Sequence, residues 1–380
     1  MPSPLDVTAR PPRDAAQFAA DLESVRERTL ALIAHLSTAD LERQIDPLMS
    51  PLVWDLGHIA AYEDLWCVHR HSGAPLLRED LAELYDAFET PRAVRGELEI
   101  LGHADALEHL SEVRERTLAA IETHGVDPVV HEMVLRHELQ HTETMRQAME
   151  IGGLLPPSDG PLRPLDAGGA GWELIPGGPF EMGAPASGFS YDNERPRHVV
   201  EVAPFQIARH PVTNATWLTF VEGGGYERRE WWSDEGWAWK EEYDITHSAG
   251  EPDGPFKNAP ACHVSWFEAD ALARSQSARL PTEAEWEKAA TWGQGHSATL
   301  GGRGQVWEWT STLFGGYPGF AAHPYREYSE VFFGDQYRVL RGGSWAADPR
   351  VATITFRNWD LPQRRQIFSG VRLARDWMGG

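Results

Sequence analysis

Cysteine is almost missing from this sequence. Cys67 and Cys262 are the two among 380 residues, which excludes a disulfide framework and fits a reducing compartment. No apolar run approaches the ~20 residues that a membrane span needs. The opening stretch, MPSPLDVTARPPRDAAQ, lacks the apolar centre of a signal peptide, so the expected location is cytoplasmic. Positive charge is also scarce. Against 57 Asp and Glu stand 34 Lys and Arg, a formal net charge of −23. A surface so acidic repels phosphate backbones and anionic lipid, so nucleic acid and membrane are not expected partners. Small molecules are, for a monomer or a small homo-oligomer.

Tryptophan, by contrast, is abundant. There are 16, and all but Trp54 and Trp66 lie after residue 170. The length suffices for two domains, and the two halves differ in texture. Residues 1–13 are Pro-rich and read as loose. From Asp14 to about Leu36 the residues Phe18, Leu22, Val25, Leu30, Ile33 and Leu36 recur at helical spacing. A second helix is expected from Pro51 to about His71 and a third from Asp105 to about Thr123, ending at Gly125. A fourth is expected from Asp127-Pro128, a cap and first-turn pair, to Gly152-Gly153. VRERTLA occurs at 25–31 and again at 113–119, as if at equivalent places in a bundle. Four long helices with one long connection predict an all-α four-helix bundle over residues 1–155.

Within the fourth helix, RHELQHTETMRQ puts His137 and His141 one turn apart on one face, with Gln140 beside them. Two such imidazoles suit a metal ion; the same spacing also describes a pair decorating a solvated face. A third ligand must come from another helix, and His58, in WDLGHIAAYEDLW, is the candidate. The connection at 72–104 carries Arg92 and Arg95, which either serve a site or offset local acids.

Residues 156–169 are rich in Pro and Gly and read as a linker. Beyond it, WELIPGGPFEMG and HVVEVAPFQIARHPV read as strand pairs, and YRVLRGGSW and GVRLAR as strands between turns. Helical periodicity survives near 211–222, 265–278 and 281–291. The expectation for 170–380 is an α+β domain with much irregular chain, held together in part by buried Trp.

IPGGPFEMG, RHPVTNATW, RLPTEAEWEKAA, VWEWT, VLRGGSW and GVRLARD resemble the formylglycine-generating-enzyme or sulfatase-modifying-factor family, with a C-type-lectin-like fold. The first half resembles the DinB-like bundles, whose metal is held by three histidines. Joined in this order, and with FRNWDLPQRRQIF at 356–368, the chain resembles the EgtB-type sulfoxide synthases of ergothioneine biosynthesis. Formylglycine-generating enzymes carry a pair of reactive cysteines near the end of the domain. Here nothing follows Cys262, which argues against copper- and cysteine-based oxidation. Cys262 and Cys67 are expected in the core.

What that resemblance implies is specific. Fe(II), held by His58, His137 and His141, with O2 as co-substrate, couples a thiol (γ-glutamylcysteine or cysteine) to C2 of the hercynine imidazole as a sulfoxide. Gln140, Asn358 and Trp359 fall where the family contacts hercynine. Asp360 and Arg364 fall where it holds the thiol donor, with Arg92 as second clamp and Arg95 as substitute. Arg357 and Arg365 are expected to be structural. A catalytic tyrosine is expected between VWEWT and VLRGGSW, among Tyr317, Tyr325, Tyr328 and Tyr337, with Tyr325 preferred and Tyr328 next. Placing Arg92 and Asp360 at one site requires the two domains to close over the metal. The segments at 240–258 and TWGQGHSATLGGRGQVWEW look trimmed for the family, which leaves room for selenoneine-synthase-like C–Se bond formation. The other readings are a zinc-dependent DinB-like thiol transferase or hydrolase and a non-enzymatic binding module.

Overall fold

The computed structural model describes residues 14–156, 162–165, 171–250, 256–295 and 300–377. The loose reading of residues 1–13 and most of the linker lie outside them, as do parts of both trimmed segments. The chain divides into two compact units, one of residues up to 160, with 187–189 counted to it, and one of the remainder.

In the first unit, helices form where the apolar periodicity places them. Helix α1 spans Ala15–Ile33, and its Asp14 cap accepts a hydrogen bond from the Gln17 amide. A short α2, Thr38–Glu42, follows a Ser37 cap. Helix α3, Leu52–Glu63, continues without a break into a π-helical stretch, Asp64–Arg70. Helix α4, His103–His124, ends at Gly125, whose φ of 78° favours glycine. Helix α5, Pro128–Ile151, starts as expected, with Asp127 accepting from Val129 and Val130. Leu32, Leu41, Leu52, Val53, Leu56, Ile59, Leu110, Val113, Met145 and Met149 fill the core between these helices. Each aliphatic side chain so buried contributes roughly 1.5–3 kcal/mol.

The second unit is built on small sheets. Strands β1 (Trp172–Ile175), β4 (Phe205–Ala208) and β9 (Ala374–Asp376) make one antiparallel sheet in the order β1-β4-β9. Strands β2 (Gly178–Met182) and β3 (His198–Val202) pair antiparallel. A mixed sheet has the order β7-β6-β5-β8, with β5 at Trp307–Leu313, β6 at Arg338–Arg341, β7 at Asn358–Asp360 and β8 at Ser369–Gly370. Its β5–β8 pairing is parallel. Helices α6 (Asn214–Glu222), α8 (Trp266–Ser275) and α9 (Glu283–Gly295) fall in the three periodic stretches. Helix α7, Asp234–Glu242, was not expected. Its Gly and two Trp mask the periodicity, and a Ser233 cap on the Gly236 amide starts it.

Four of the buried indoles find an acceptor: Trp286 on Glu308, Trp309 on the Val264 carbonyl, Trp217 on Ser248, Trp266 on the Thr310 carbonyl. Tryptophan burial alone does not complete this core. Arg341, Arg357 and Arg372 are just as deeply buried, on Glu287, Glu283 and Glu308 respectively. Cys67 is in the core as expected, whereas Cys262 is only half-buried. No helix of the described residues is long and apolar enough to cross a membrane.

Candidate metal centre and substrate residues

The site in the first unit starts from the spacing on two helices. His137 and His141 lie one turn apart on α5 and meet His58 of α3. The ligating atoms of the three all lie within 4.8 Å of one another. The Nε2 atoms of His58 and His137 are 3.0 Å apart. Two nitrogens about 2.1 Å from one ion and at a right angle to each other would stand about that far apart.

Two of the rings are oriented from behind by hydrogen bonds. His58 donates its Nδ1 proton to the Tyr85 carbonyl at 2.6 Å, which leaves its Nε2 lone pair for the shared centre. Tyr85 reaches that place because residue 57 is glycine: a Cβ there would meet the Tyr85 ring at 2.3 Å. His141 donates from Nδ1 to Asp55 Oδ1 at 3.0 Å. His58 also stacks on Trp54, with centroids 4.8 Å apart and planes at 13°. On the indole's surface lies the Arg95 guanidinium, 3.5 Å from the ring centroid. Burial, and then the His141 charge, push His58 and His137 well below the ordinary histidine range. Both are neutral at pH 7, the form in which imidazole ligates.

Three converging imidazoles, two of them with the tautomer set by these hydrogen bonds, fit a divalent cation. Asp55 supports that fit. It is 1% exposed, and its Oδ2 has no hydrogen-bond partner among the described residues. A carboxylate buried this way calls for positive charge nearby, which Arg95 supplies and a cation on His141 would increase.

The other expected residues fall as follows. Gln140 lies on α5, half-buried, between the two ligand candidates. Arg92 is exposed and donates to the Leu48 carbonyl at 3.4 Å. Arg95 differs from its expected part as substitute clamp. It is 4% exposed, and the Thr90 and Ala87 carbonyls and Ser50 Oγ accept from it. Those bonds tie it into the wall behind His58.

In the second unit, Asn358, Trp359 and Asp360 form β7, at the edge of the mixed sheet. Trp359 stacks on Phe314 at 4.2 Å and meets Tyr328 edge-on at 5.9 Å. Asp360 and Arg364 face each other at 3.6 Å, each about a quarter exposed. Tyr325 and Tyr328 flank a short turn, with ring centroids 6.2 Å apart, and Tyr328 stacks on Tyr191 at 4.3 Å. Tyr317 instead lies inward, 6% exposed, beneath the Arg357 guanidinium. Arg357 forks onto Glu283, and Arg365 bonds Glu268 and the His247 carbonyl, both structural.

Sequence reasoning missed the supporting layer. Asp55 and Tyr62 stand three before and four after His58, so their shared face was readable in WDLGHIAAYEDLW. Asp192 gave no signal. It accepts from Ser329 Oγ at 2.7 Å and from the His323 amide at 3.4 Å, gripping both ends of the tyrosine turn from more than 130 positions away.

Fold and site together define a class: a DinB-type helical bundle with a three-histidine cluster, joined to a sulfatase-modifying-factor domain. Residues 21–145 match the model of the DinB superfamily. Residues 169–302 and 298–377 match that of the sulfatase-modifying factor enzyme 1-like domain. A protein named hercynine oxygenase from Mycolicibacterium smegmatis is 41% identical over 426 aligned residues, covering 94% of this chain and 98% of its own. One of the same name from Mycobacterium tuberculosis is 42% identical, covering 95% and 99%. Ergothioneine biosynthesis protein 1 of Schizosaccharomyces pombe is 26% identical over 50% of this chain and 28% of its own. The chain belongs to the hercynine oxygenase family. The 426-residue alignment exceeds the 380 residues here, so that relative carries stretches this chain lacks.

Proposed function

We propose that this chain is a non-heme iron(II), O2-dependent sulfoxide synthase of ergothioneine biosynthesis, joining a thiol to C2 of the hercynine imidazole. The observation that carries this reading is the convergence of His58, His137 and His141 in a chain so close, over nearly its whole length, to proteins named hercynine oxygenase. In the reaction one C–H and one S–H bond are lost and one C–S bond forms. One oxygen atom of O2 becomes the sulfoxide and the other leaves as water.

Bound to the three imidazoles, Fe(II) would supply the one-electron chemistry that ground-state dioxygen needs to react with a thiolate. Three neutral ligands leave its charge uncancelled and about three positions open. Hercynine has a quaternary ammonium with no proton to donate, which suits the face of Trp359. Asn358 and Gln140 hydrogen-bond its imidazole and carboxylate. Asp360 takes the amine of the thiol donor, and Arg364 and Arg92 fork onto carboxylates. A phenol stays protonated at pH 7, so Tyr325, or Tyr328 in its place, holds the proton that the departing oxygen requires.

The test is oxygen uptake by the Fe(II)-loaded protein with hercynine and, in turn, γ-glutamylcysteine, cysteine and a selenosugar. Consumption of one O2 per sulfoxide formed, with either thiol, supports the reading. Turnover with the selenosugar alone would move the chain to C–Se bond formation. Thiol transfer or hydrolysis with zinc and no oxygen uptake would replace it with a zinc enzyme.

A further inference from the structure

His58 and His141 each give their Nδ1 proton to a fixed acceptor. His137 has a different support. The Tyr62 ring lies flat on it, with centroids 3.7 Å apart and planes at 13°. We propose that Tyr62 is the positioning residue that holds His137 in its ligating orientation. This inference rests on the metal reading above.

Tyr62 stands one turn after His58 on the same helix, so a single element supplies one ligand and the platform for another. The platform is itself backed. Trp66, 6% exposed, packs on Tyr62 at 6.1 Å with planes at 47°, and the Arg70 guanidinium lies 4.8 Å from the Trp66 ring centroid. His58, Tyr62, Trp66 and Arg70 thus form a row at intervals of four. In an α-helix every fourth residue drifts by about 40° around the axis, because a turn takes 3.6 residues. The switch to π-helix at Asp64 widens the turn and reduces that drift, so the row stays in line. Such π-segments are rare, and they concentrate at functional sites.

A flat face limits ring rotation where a hydrogen bond does not. Without it His137 turns about its χ2 and its Nε2 leaves the shared centre. The test is metal affinity by chelator competition, with Co(II) and with anaerobic Fe(II), in Tyr62→Phe, Tyr62→Leu and His137→Ala. Tyr62→Phe keeps the face and is expected to bind like the parent. Tyr62→Leu is expected to lose roughly 10–100-fold, the usual cost of removing a group that orients a ligand. At saturating Co(II) its visible bands shift, which a loss of stability alone would not cause. Parent-like affinity and bands in Tyr62→Leu would overturn the proposal. So would an equal loss in Tyr62→Phe, which would assign the effect to the hydroxyl. If Tyr62→Leu does not fold, Tyr62→Met, similar in bulk but without a flat face, takes its place under the same criteria. Undiminished affinity in His137→Ala would instead sink the ligand set itself, so the two failures are distinguishable.

Discussion

His141 donates a hydrogen bond from Nδ1 to Asp55 across 3.0 Å, and that bond leaves its Nε2 for the centre shared with His58 and His137. Asp55→Asn removes the charge and leaves the bulk, and is expected to weaken metal binding roughly 10-fold or more in chelator competition. His137→Ala is expected to abolish metal binding and turnover together, measured by metal analysis and oxygen uptake; retained activity would refute its proposed place among the ligands. For Asp360→Asn the expected change is a KM for the thiol donor raised well above any change for hercynine. Equal losses for both substrates would count against its role. Some of these residues were readable in the sequence and some were not, for a physical reason. His58, His137 and His141 sit on regular helices, where spacing fixes direction. Arg95 could stand only as a substitute clamp or as a counter-charge to local acids, because a loop arginine has no spacing to read. Only the fold shows its three acceptors and its place on Trp54.

At the scale of elements, the repeated VRERTLA becomes a reciprocal arrangement. Arg26 of α1 bonds Glu138, Glu63 and the Leu110 carbonyl of α4. Arg114 of α4 bonds Glu63, Glu138 and the Leu22 carbonyl of α1. The two carboxylates come from α3 and α5, the helices that carry the histidines, and Glu138 directly follows His137. This buried cluster therefore fixes how the histidine-bearing helices face each other. Glu63→Gln leaves two buried guanidiniums short of charge and is expected to destabilise the unit by about 3–5 kcal/mol in denaturant unfolding. The pH dependence has a definite sign. Burial alone would raise the Glu63 pKa, but Arg114 and Arg26 outweigh it and pull it from 4.5 to about 2. A folded value below the unfolded one means that the stabilisation is full at neutral pH. It is lost as pH falls from about 4.5 toward about 2, and melting temperature against pH should show the decline. In Glu63→Gln that part of the decline should be missing.

For the molecule as a whole, two cores with separate buried charge networks predict two transitions in calorimetry. Glu63→Gln should lower one of them and leave the other in place; a single transition shifted as a whole would contradict this. The two-domain architecture, the helix order, the caps of α1 and α5 and the histidine face were determined by the sequence itself. Helical period, capping chemistry and local spacing act between neighbours, and neighbours are what a sequence displays. The tertiary structure alone decided the rest: the Arg–Glu core of the second unit, the grip of Asp192 on the tyrosine turn, the wall behind His58 and the stack beneath His137. Each of these joins groups from distant stretches or separate elements. Their partners are chosen by packing and by the need to satisfy buried charge, which no local pattern encodes.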